Sequence, residues 1–367
     1  MKVAIVHYWL VNMRGGEKML EALLEIFPEA DIFTHVYDPG AVSDLIKSHR
    51  VHTSFIQKLP VAKKLYQKYL PLMPGALNGF NLQDYDLVIS SEAGPAKGIV
   101  PNPDAYHLCY CHSPMRYIWD MFHEYQKRSG PLTRFFMKSL IPKLRLWDIS
   151  SSNLVDRFIT NSNYSARRIR RYYNREAEVV FGPASIEKFF TLNRNPKDYY
   201  LLFGQITEYK RADIAIEACA NSGRKLVAAG AGAAKKEVRR WEKTGLISFK
   251  GRVSSEELCS LYSGARALIF PGIEDMGLVP IEANAAGCPV IAYGKGGVLD
   301  TIKDGVTGLF FNEQSSSSLI EALDRFEAEE ARGAFTNRDL FSEHVRQFSS
   351  EAFKERVIRI IAERKRV

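Results

Sequence analysis

The sequence predicts an α/β protein of two domains, each built on a parallel sheet. Three observations carry this. The chain has 367 residues, more than one domain of ordinary size needs. Its 46% hydrophobic and 25% charged residues form a globular balance with apolar material for two cores. Short runs rich in Val, Ile, Phe and Tyr alternate with helical patterns, as strands joined by crossover helices do.

In the first half the strand-like runs are VAIVHYW, ADIFTHVY, YDLVISS, HLCYCHS, RFITNS and EVVFGPA. The helical stretches GGEKMLEALLEIF and SNYSARRIRRYY lie between some of them, and Asn161–Ser162 supplies a cap for the second. In the second half YYLLFGQI, KLVAAG, ISFKGR, RALIFPG, PVIAYG and TGLFF read as strands. Helices over 210–221, 233–243, 255–263, 278–287 and 315–328 separate them. The polar stretch 182–198, with its Gly and Pro, reads as the linker, which puts one domain at residues 1–185 and the other at 186–349. SSEAFKERVIRIIAERKRV, at the end, is an amphipathic basic helix.

Composition narrows the function classes. No run approaches the roughly 18 apolar residues of a membrane span. The opening MKVAIVHYWL reads as a strand rather than a signal peptide, so a cytoplasmic location is expected. The five cysteines, at 109, 111, 219, 259 and 288, lack zinc-site spacing and read as buried free thiols. No H-E-x-x-H and no cysteine–histidine cluster occurs, and nothing proposes a metal. The net charge is +8, and residues 1–190 hold 24 Lys and Arg against 18 Asp and Glu. The densest basic point, RRIRRYYNR at 167–175, is either a solvated helix face or a patch for an anionic partner. No nucleic-acid-binding module is recognisable, so nucleic acid is not an expected partner.

Ligands of doubly wound sheets bind beyond the carboxyl ends of the strands, and two such domains placed face to face would make one cleft. Four stretches stand there. Gly15–Gly16 follow the first strand and open a helix, either as a tight turn or as a close backbone approach to an anion. They do not form a G-x-G-x-x-G fingerprint, which disfavours an oxidoreductase. His112 falls at the end of an apolar strand, where its donor and acceptor nitrogens suit a polar pocket; Arg116 lies one turn further. Lys210 opens a helix after the first strand of the second domain, either as an exposed helix-start lysine or as an ammonium facing a diphosphate. Glu274 and Glu282 flank a glycine at a strand-to-helix corner. Each ionised carboxylate can accept two hydroxyl donors, such as a vicinal diol, while the amides of Met276 to Val279 take phosphates between them. Alternatively, both glutamates simply favour the helix dipole. GKGGVLDTI, at 294–302, lacks the P-loop pattern, so an ATPase reading fails.

Taken together, IEDMGLVPIEANAAGCPVIAYGKGGVLDTIKDGVTGLFF resembles the E-x7-E region of retaining GT-B glycosyltransferases of family 4. MRGGEKMLEAL, HTSFIQKLP, CYCHSPMRYIWD and GRVSSEELCSLYSGARALIFPGIEDMGLVPIEA extend the likeness over nearly the whole chain, toward bacterial O-antigen and exopolysaccharide mannosyltransferases. The resemblance implies a GT-B fold: two Rossmann-like domains facing each other across a cleft, with residues 350–367 packing back on the first. It implies a metal-independent, retaining transfer of a hexose, with no cofactor. The donor would be a nucleotide sugar, GDP-mannose above all. The acceptor would be a glycan or lipid-linked oligosaccharide of cell-surface polysaccharide synthesis, with peripheral contact to the inner face of the plasma membrane through the basic first domain.

Carried over by position, the resemblance makes His112 and Glu274 catalytic. It gives donor binding to Gly15, Gly16, Gln205, Lys210, Met276, Gly277, Leu278 and Glu282. One departure is Gly204–Gln205–Ile206, where many relatives carry an arginine: glutamine offers only neutral donors to a phosphate, and Arg211 or Arg252 is expected to compensate in part. Another is FGPASIEKF, where close relatives tend to a PPVD-like stretch. Alternatives are a UDP-glucose or UDP-GlcNAc donor, a nucleotide-sugar 2-epimerase of the same fold, and a non-catalytic sugar-nucleotide binder.

Overall fold

A computed structural model describes residues 1–206, 208–232, 241 and 243–364 of the chain. The helix expected over 233–243 falls on residues 233–240 and 242, outside the described residues, as does the end of the terminal helix at 365–367. The chain forms two compact units: Met1–Pro183 with Phe353–Val367, and Ala184–Ala352.

The first unit is a seven-stranded sheet, β1 (Val3–His7), β2 (Asp31–Thr34), β3 (Val51–Thr53), β4 (Leu87–Glu92), β5 (Tyr106–Cys111), β6 (Arg157–Thr160) and β7 (Ala177–Val179). Its order is β3-β2-β1-β4-β5-β6-β7, and each adjacent pair is parallel. The second is a parallel six-stranded sheet, β8 (Tyr200–Phe203), β9 (Leu226–Ala229), β10 (Ile247–Gly251), β11 (Leu268–Phe270), β12 (Val290–Tyr293) and β13 (Gly308–Phe311). Its order is β10-β9-β8-β11-β12-β13. In each sheet the chain winds outward, returns to the centre and winds the other way. The switch points, where doubly wound sheets bind ligands, are β1/β4 and β8/β11.

The strands follow from their side chains. Every residue of β1 and β4 is buried, as expected of strands covered on both faces by helices. β3 escaped the sequence reading because it is a three-residue edge strand with no buried position. The Asn163–Tyr173 helix begins where expected: the Ser162 hydroxyl accepts from the Ser165 amide at 3.1 Å. Inside the expected linker stands a short helix, Glu187–Phe190.

The basic stretch 167–175 is not one solvated face. Arg168 is buried and meets Asp120 at 2.7 Å, and Arg175 donates to the carbonyls of Ser152 and Val155 at 2.7 Å each. Arg167, Arg170 and Arg171 are exposed. Behind it lies a buried cluster that the sequence did not announce. Lys97 is fully buried between Glu92, at 3.1 Å, and Asp148, whose other carboxylate oxygen accepts from Trp119 Nε1 at 2.7 Å and the Tyr173 hydroxyl at 2.9 Å. Burial and the Asp148 charge push the Glu92 carboxyl above its ordinary range, with Lys97 opposing them.

The terminal helix Ser350–Ala362 belongs to the first unit's core. Phe353, Val357, Ile360 and Ile361 recur on one face and pack with Leu20, Leu23 and Leu24 of the Gly15–Ile26 helix. Lys354 adds an ion pair to Glu25 at 2.8 Å. Removing the Phe353 ring, which also meets Tyr110 edge-on, is expected to cost about 3–5 kcal/mol. Urea melts of Phe353→Ala should show that loss in the first unit; an unchanged midpoint would show that the helix is only loosely attached.

Candidate functional site

In the first unit the polar residues converge where β1, β4 and β5 end side by side. The register pairs His7 with Ser91 and Glu92 with Cys111, so His112, one residue past β5, comes to the same edge. Ser91 Oγ lies 2.9 Å from His7 Nδ1 and 3.1 Å from His112 Nε2. His7 Nε2 faces Glu17 Oε1 at 3.9 Å. Glu17, in the first turn of the Gly15–Ile26 helix, also accepts from the Arg14 amide at 2.9 Å. Burial acts to raise the Glu17 carboxyl, but the His7 imidazole and the nearby amides outweigh it and hold the group below its ordinary value. His112 is pushed down to about 3, by burial first and then by the nearby His7, so its imidazole is neutral at physiological pH.

Gly16 is required by packing: a Cβ there would stand 2.3 Å from the Tyr8 hydroxyl. Gly15 is exposed at the helix start. Arg116 sits beside Asp120 at 3.5 Å. The sequence reading missed His7, Glu17 and Ser91. Glu17 reads as an ordinary first-turn acid, and nothing local joins His7 to a serine 84 positions on.

In the second unit the strand ends are crowded. Gly204, after β8, has φ +129°, and a Cβ on Gly230, after β9, would lie 1.8 Å from the Gly204 carbonyl oxygen. Gln205 follows, exposed. Lys210 does not open the helix as expected. It ends a short 3-10 turn, and Arg211, in the left-handed region at φ 52°, separates it from the Ala212–Asn221 helix. The loop after β11 passes against this turn so closely that a Cβ on Gly272 would stand 2.9 Å from Lys210 Cα. The approach brings Lys210 Nζ to Glu274 Oε1 at 2.6 Å, with both side chains about four-fifths buried at 19% and 21% exposure.

The Gly296–Gly297 pair, rejected as a P-loop, has a packing role. The Gly297 amide donates to the Glu274 carbonyl at 2.8 Å, and a Cβ on Gly297 would lie 2.4 Å from the Asp275 oxygen. The loop can then turn at Gly277, φ +91°, into the Leu278–Ala285 helix. Met276 is buried and Leu278 is partly exposed. Glu282, in the second turn, accepts from the Tyr262 hydroxyl at 3.3 Å. Burial pushes its carboxyl up to about 7, against the opposing pull of Lys188 and Tyr262. Tyr262 was also missed; it lies on a helix whose pattern reads as core.

The two arginines expected to compensate for Gln205 are placed differently. Arg211 is committed to Asp213, through Nε at 3.1 Å and a terminal nitrogen at 2.9 Å, and reaches Gln314 at 3.5 Å. Arg252 is exposed after β10, the edge strand two places from β8. The structure thus gathers Gln205, Lys210 and Glu274 at the β8/β11 switch point, with Met276, Gly277, Leu278 and Glu282 on the segment leading away from it. Such a surface offers an ammonium and a helix start to an anion, and two carboxylates to hydroxyl groups. Among the described residues, no group of three or more His, Cys, Asp or Glu is placed to hold a metal ion. Nor is any described helix long and apolar enough to cross a membrane.

Residues 184–354, which span the second unit, match the family described as glycosyl transferases group 1. D-inositol 3-phosphate glycosyltransferase of Mycolicibacterium smegmatis is 28% identical over 222 residues, 53% of this chain and 50% of its own. The α-1,3/1,6-mannosyltransferase ALG2 of Homo sapiens is 31% identical over 128 residues, 35% of this chain and 30% of its own. The chain spans about half the length of the first of these curated relatives. Two solved structures match over the whole chain. Sucrose-phosphate synthase from Thermosynechococcus elongatus superposes with a TM-score of 0.71 at 19% identity, covering 99% of each chain. Anabaena HepE, in complex with UDP, gives 0.69 at 14%, covering 99% of this chain and 100% of its own. These likenesses show the fold: two parallel-sheet Rossmann-like domains, as in GT-B glycosyltransferases.

The raised Glu282 carboxyl has a stability consequence. The folded state holds this proton to about pH 7, whereas the unfolded chain releases it near 4.5, so folding binds a proton between these values. Stability of the second unit should therefore fall as pH rises from about 4.5 to 7. Glu282→Gln should flatten that fall in pH-dependent urea melts; an unaltered slope would mean that Glu282 titrates normally.

Proposed function

We propose that this protein is a retaining, metal-independent glycosyltransferase whose donor, a nucleoside diphosphate sugar, lies on the second domain. The observation that carries the reading is the Lys210–Glu274 pair beside a helix start, with the partly buried Glu282 in that helix's second turn. One ligand uses all three groups: a diphosphate for the ammonium and amides, a ribose diol for Glu282, and sugar hydroxyls for Glu274. The group 1 family match over this domain supports the reading.

The ion pair suggests the order of events. Without donor, Lys210 neutralises Glu274. An arriving diphosphate competes for the ammonium, and Glu274 becomes free to accept sugar hydroxyls. As the glycosidic C–O bond to the leaving phosphate breaks, negative charge grows on the diphosphate, and Lys210 with the amides of Met276, Gly277 and Leu278 stabilises it. The acceptor hydroxyl attacks from the same face, forming the new C–O bond with retained configuration, and its proton passes to the departing phosphate. His112 contacts the transferred sugar. Gly15 and Gly16 line the phosphate side, and Gln205 supplies neutral donors.

The proposed donor is GDP-mannose and the proposed acceptor a glycan or lipid-linked oligosaccharide of a cell-surface polysaccharide. A mannosyltransferase among the relatives supports the sugar. HepE is solved with UDP-glucose, which makes a uridine donor the first competitor. The exposed Arg167, Arg170 and Arg171 are the groups available for contact with an anionic membrane face.

A thermal-shift panel of GDP-, UDP-, ADP- and dTDP-sugars tests the donor. A ligand at 100 times its Kd should add about 2.7 kcal/mol of stability. Glu282→Ala should lose most of that shift, and Lys210→Ala should weaken binding about ten- to hundred-fold, from about 1.5–3 kcal/mol for a hydrogen bond to a charged group. Because hydroxyl donors favour the ionised carboxylate, affinity should rise with pH up to about 7 and then level off. A full shift in both variants would remove the donor from this surface, and a new sugar nucleotide formed without acceptor would make the protein an epimerase.

A further inference from the structure

Between Asp44 and Asp84 the chain carries Lys47, Arg50, Lys58, Lys63, Lys64 and Lys68 and no acidic residue. The last four stand on a cap of short elements in the first domain: the 3-10 turn Phe55–Lys58, the helix Ala62–Leu65, the 3-10 turn Tyr66–Leu72 and the helix Met73–Leu77. These elements pack on one another and bury Ile56, Ala62, Met73 and Ala76 with Val36, against Trp9, Leu59, Tyr66 and Tyr69. The Tyr69 hydroxyl donates to the Pro60 carbonyl at 2.7 Å and ties the second 3-10 turn to the loop before the first helix.

What the cap leaves in solvent is apolar and basic together. Phe55, Val61 and Leu72 are large apolar side chains with exposures of 50%, 60% and 46%. Among the described residues, Lys58, Lys64 and Lys68 pair with no carboxylate, and Lys63 meets Asp38 at 3.0 Å. Val61 adopts φ 53°, in the left-handed region that β-branched residues seldom enter. Strain of that kind clusters at functional positions, and here it accompanies an apolar side chain that gains little burial.

We propose that residues 55–72 are a docking surface for an anionic lipid bilayer. Phe55, Val61 and Leu72 enter the boundary between headgroups and acyl chains, and Lys58, Lys64 and Lys68 lie among the phosphates. An interfacial membrane site needs both properties: apolar groups to insert and cations to meet anionic lipid. Lysine also separates a membrane from a protein partner. Its stem lies along apolar surface while its ammonium stays in water, which suits a headgroup layer, whereas lysine is depleted at protein–protein interfaces. The basic helix Asn163–Tyr173 lacks the apolar half. Among the described residues it exposes no large apolar side chain, and its Arg170 is paired with Glu176 at 3.3 Å. A chain docked through the cap would meet a lipid-linked acceptor in the plane of the membrane. That consequence rests on the proposed transferase function; the surface does not.

Cosedimentation of the full chain with vesicles, without sugar nucleotide, tests the surface. The chain should bind vesicles of phosphatidylcholine with phosphatidylglycerol, bind phosphatidylcholine alone far more weakly, and come off as salt rises. Each lysine near the surface is worth about five-fold in binding, so replacing Lys58, Lys64 and Lys68 together by glutamine should weaken it about a hundred-fold. Val61→Asn gives the sharpest reading, because asparagine tolerates a positive φ. Its thermal midpoint should hold or rise while its vesicle binding falls several-fold. Phe55→Trp should bind like the unaltered protein and shift its emission to the blue on anionic vesicles, beyond any shift of the native tryptophans. A triple glutamine variant that binds like the unaltered protein overturns the proposal, as does an unshifted emission in Phe55→Trp. So does a loss confined to glutamine variants of Arg167, Arg170 and Arg171, which would move the contact to that helix. An unaltered chain that ignores anionic vesicles also overturns it and leaves the cap to a protein or nucleic-acid partner. Vesicle binding by a chain that transfers no sugar keeps the surface and removes the transferase reading.

Discussion

The hydrogen bond from the Gly297 amide to the Glu274 carbonyl, 2.8 Å long, holds the second domain's site together. It ties the loop after β11 to the loop after β12, at a separation that leaves no room for a side chain on Gly297. Gly272 makes a second close contact on the other side, against the backbone of Lys210. Pinned at both ends, the 272–277 segment has little freedom. Glu274 must face Lys210, and the chain must turn at Gly277, where a positive φ is tolerated by glycine without steric cost. The placement of Glu282 then follows from helix geometry. Backbone packing and the Lys210–Glu274 contact together hold the acidic and basic groups, as a preorganised site requires.

The first domain solves a similar problem with side chains. The strand register brings His7, Ser91 and His112 to one edge, and contacts through the Ser91 hydroxyl join them. Glu92, the last residue of β4, is fully buried with Lys97 and Asp148. Glu92 follows Ser91 directly and takes the amides of Ala96 and Lys97 at 2.8 Å each, so the ionic cluster braces the strand end that carries the serine. Buried ions of this kind are costly to desolvate, and removing one partner leaves the others uncompensated.

Much of this was legible in the sequence where the signal is local. The runs that become β8 and β12 are apolar throughout, those of β1 and β4 begin apolar and end in polar residues, and Ser162 stands where a cap should. Glu274 and Glu282 announced themselves by flanking a glycine between an apolar run and a helix. What was not legible depends on partners distant along the chain. His7 gains meaning only from Ser91, Lys97 only from Asp148, and Gly297 only from the loop it touches. Lys210 shows a subtler limit. Its neighbourhood reads as a helix start, but Arg211 adopts a left-handed conformation, and the lysine is set back onto a turn of its own. β3 was invisible because three half-exposed residues carry no pattern.

The central claim is that one nucleoside diphosphate sugar spans Lys210, Glu274 and Glu282. A crystal structure with the intact donor tests this most directly. The account predicts the diphosphate beside Lys210 and the amides of Met276 to Leu278, the ribose diol on Glu282, and the sugar on a Glu274 no longer paired with Lys210. A donor seated elsewhere on the chain, or one that leaves the Lys210–Glu274 pair closed and Glu282 untouched, would contradict it.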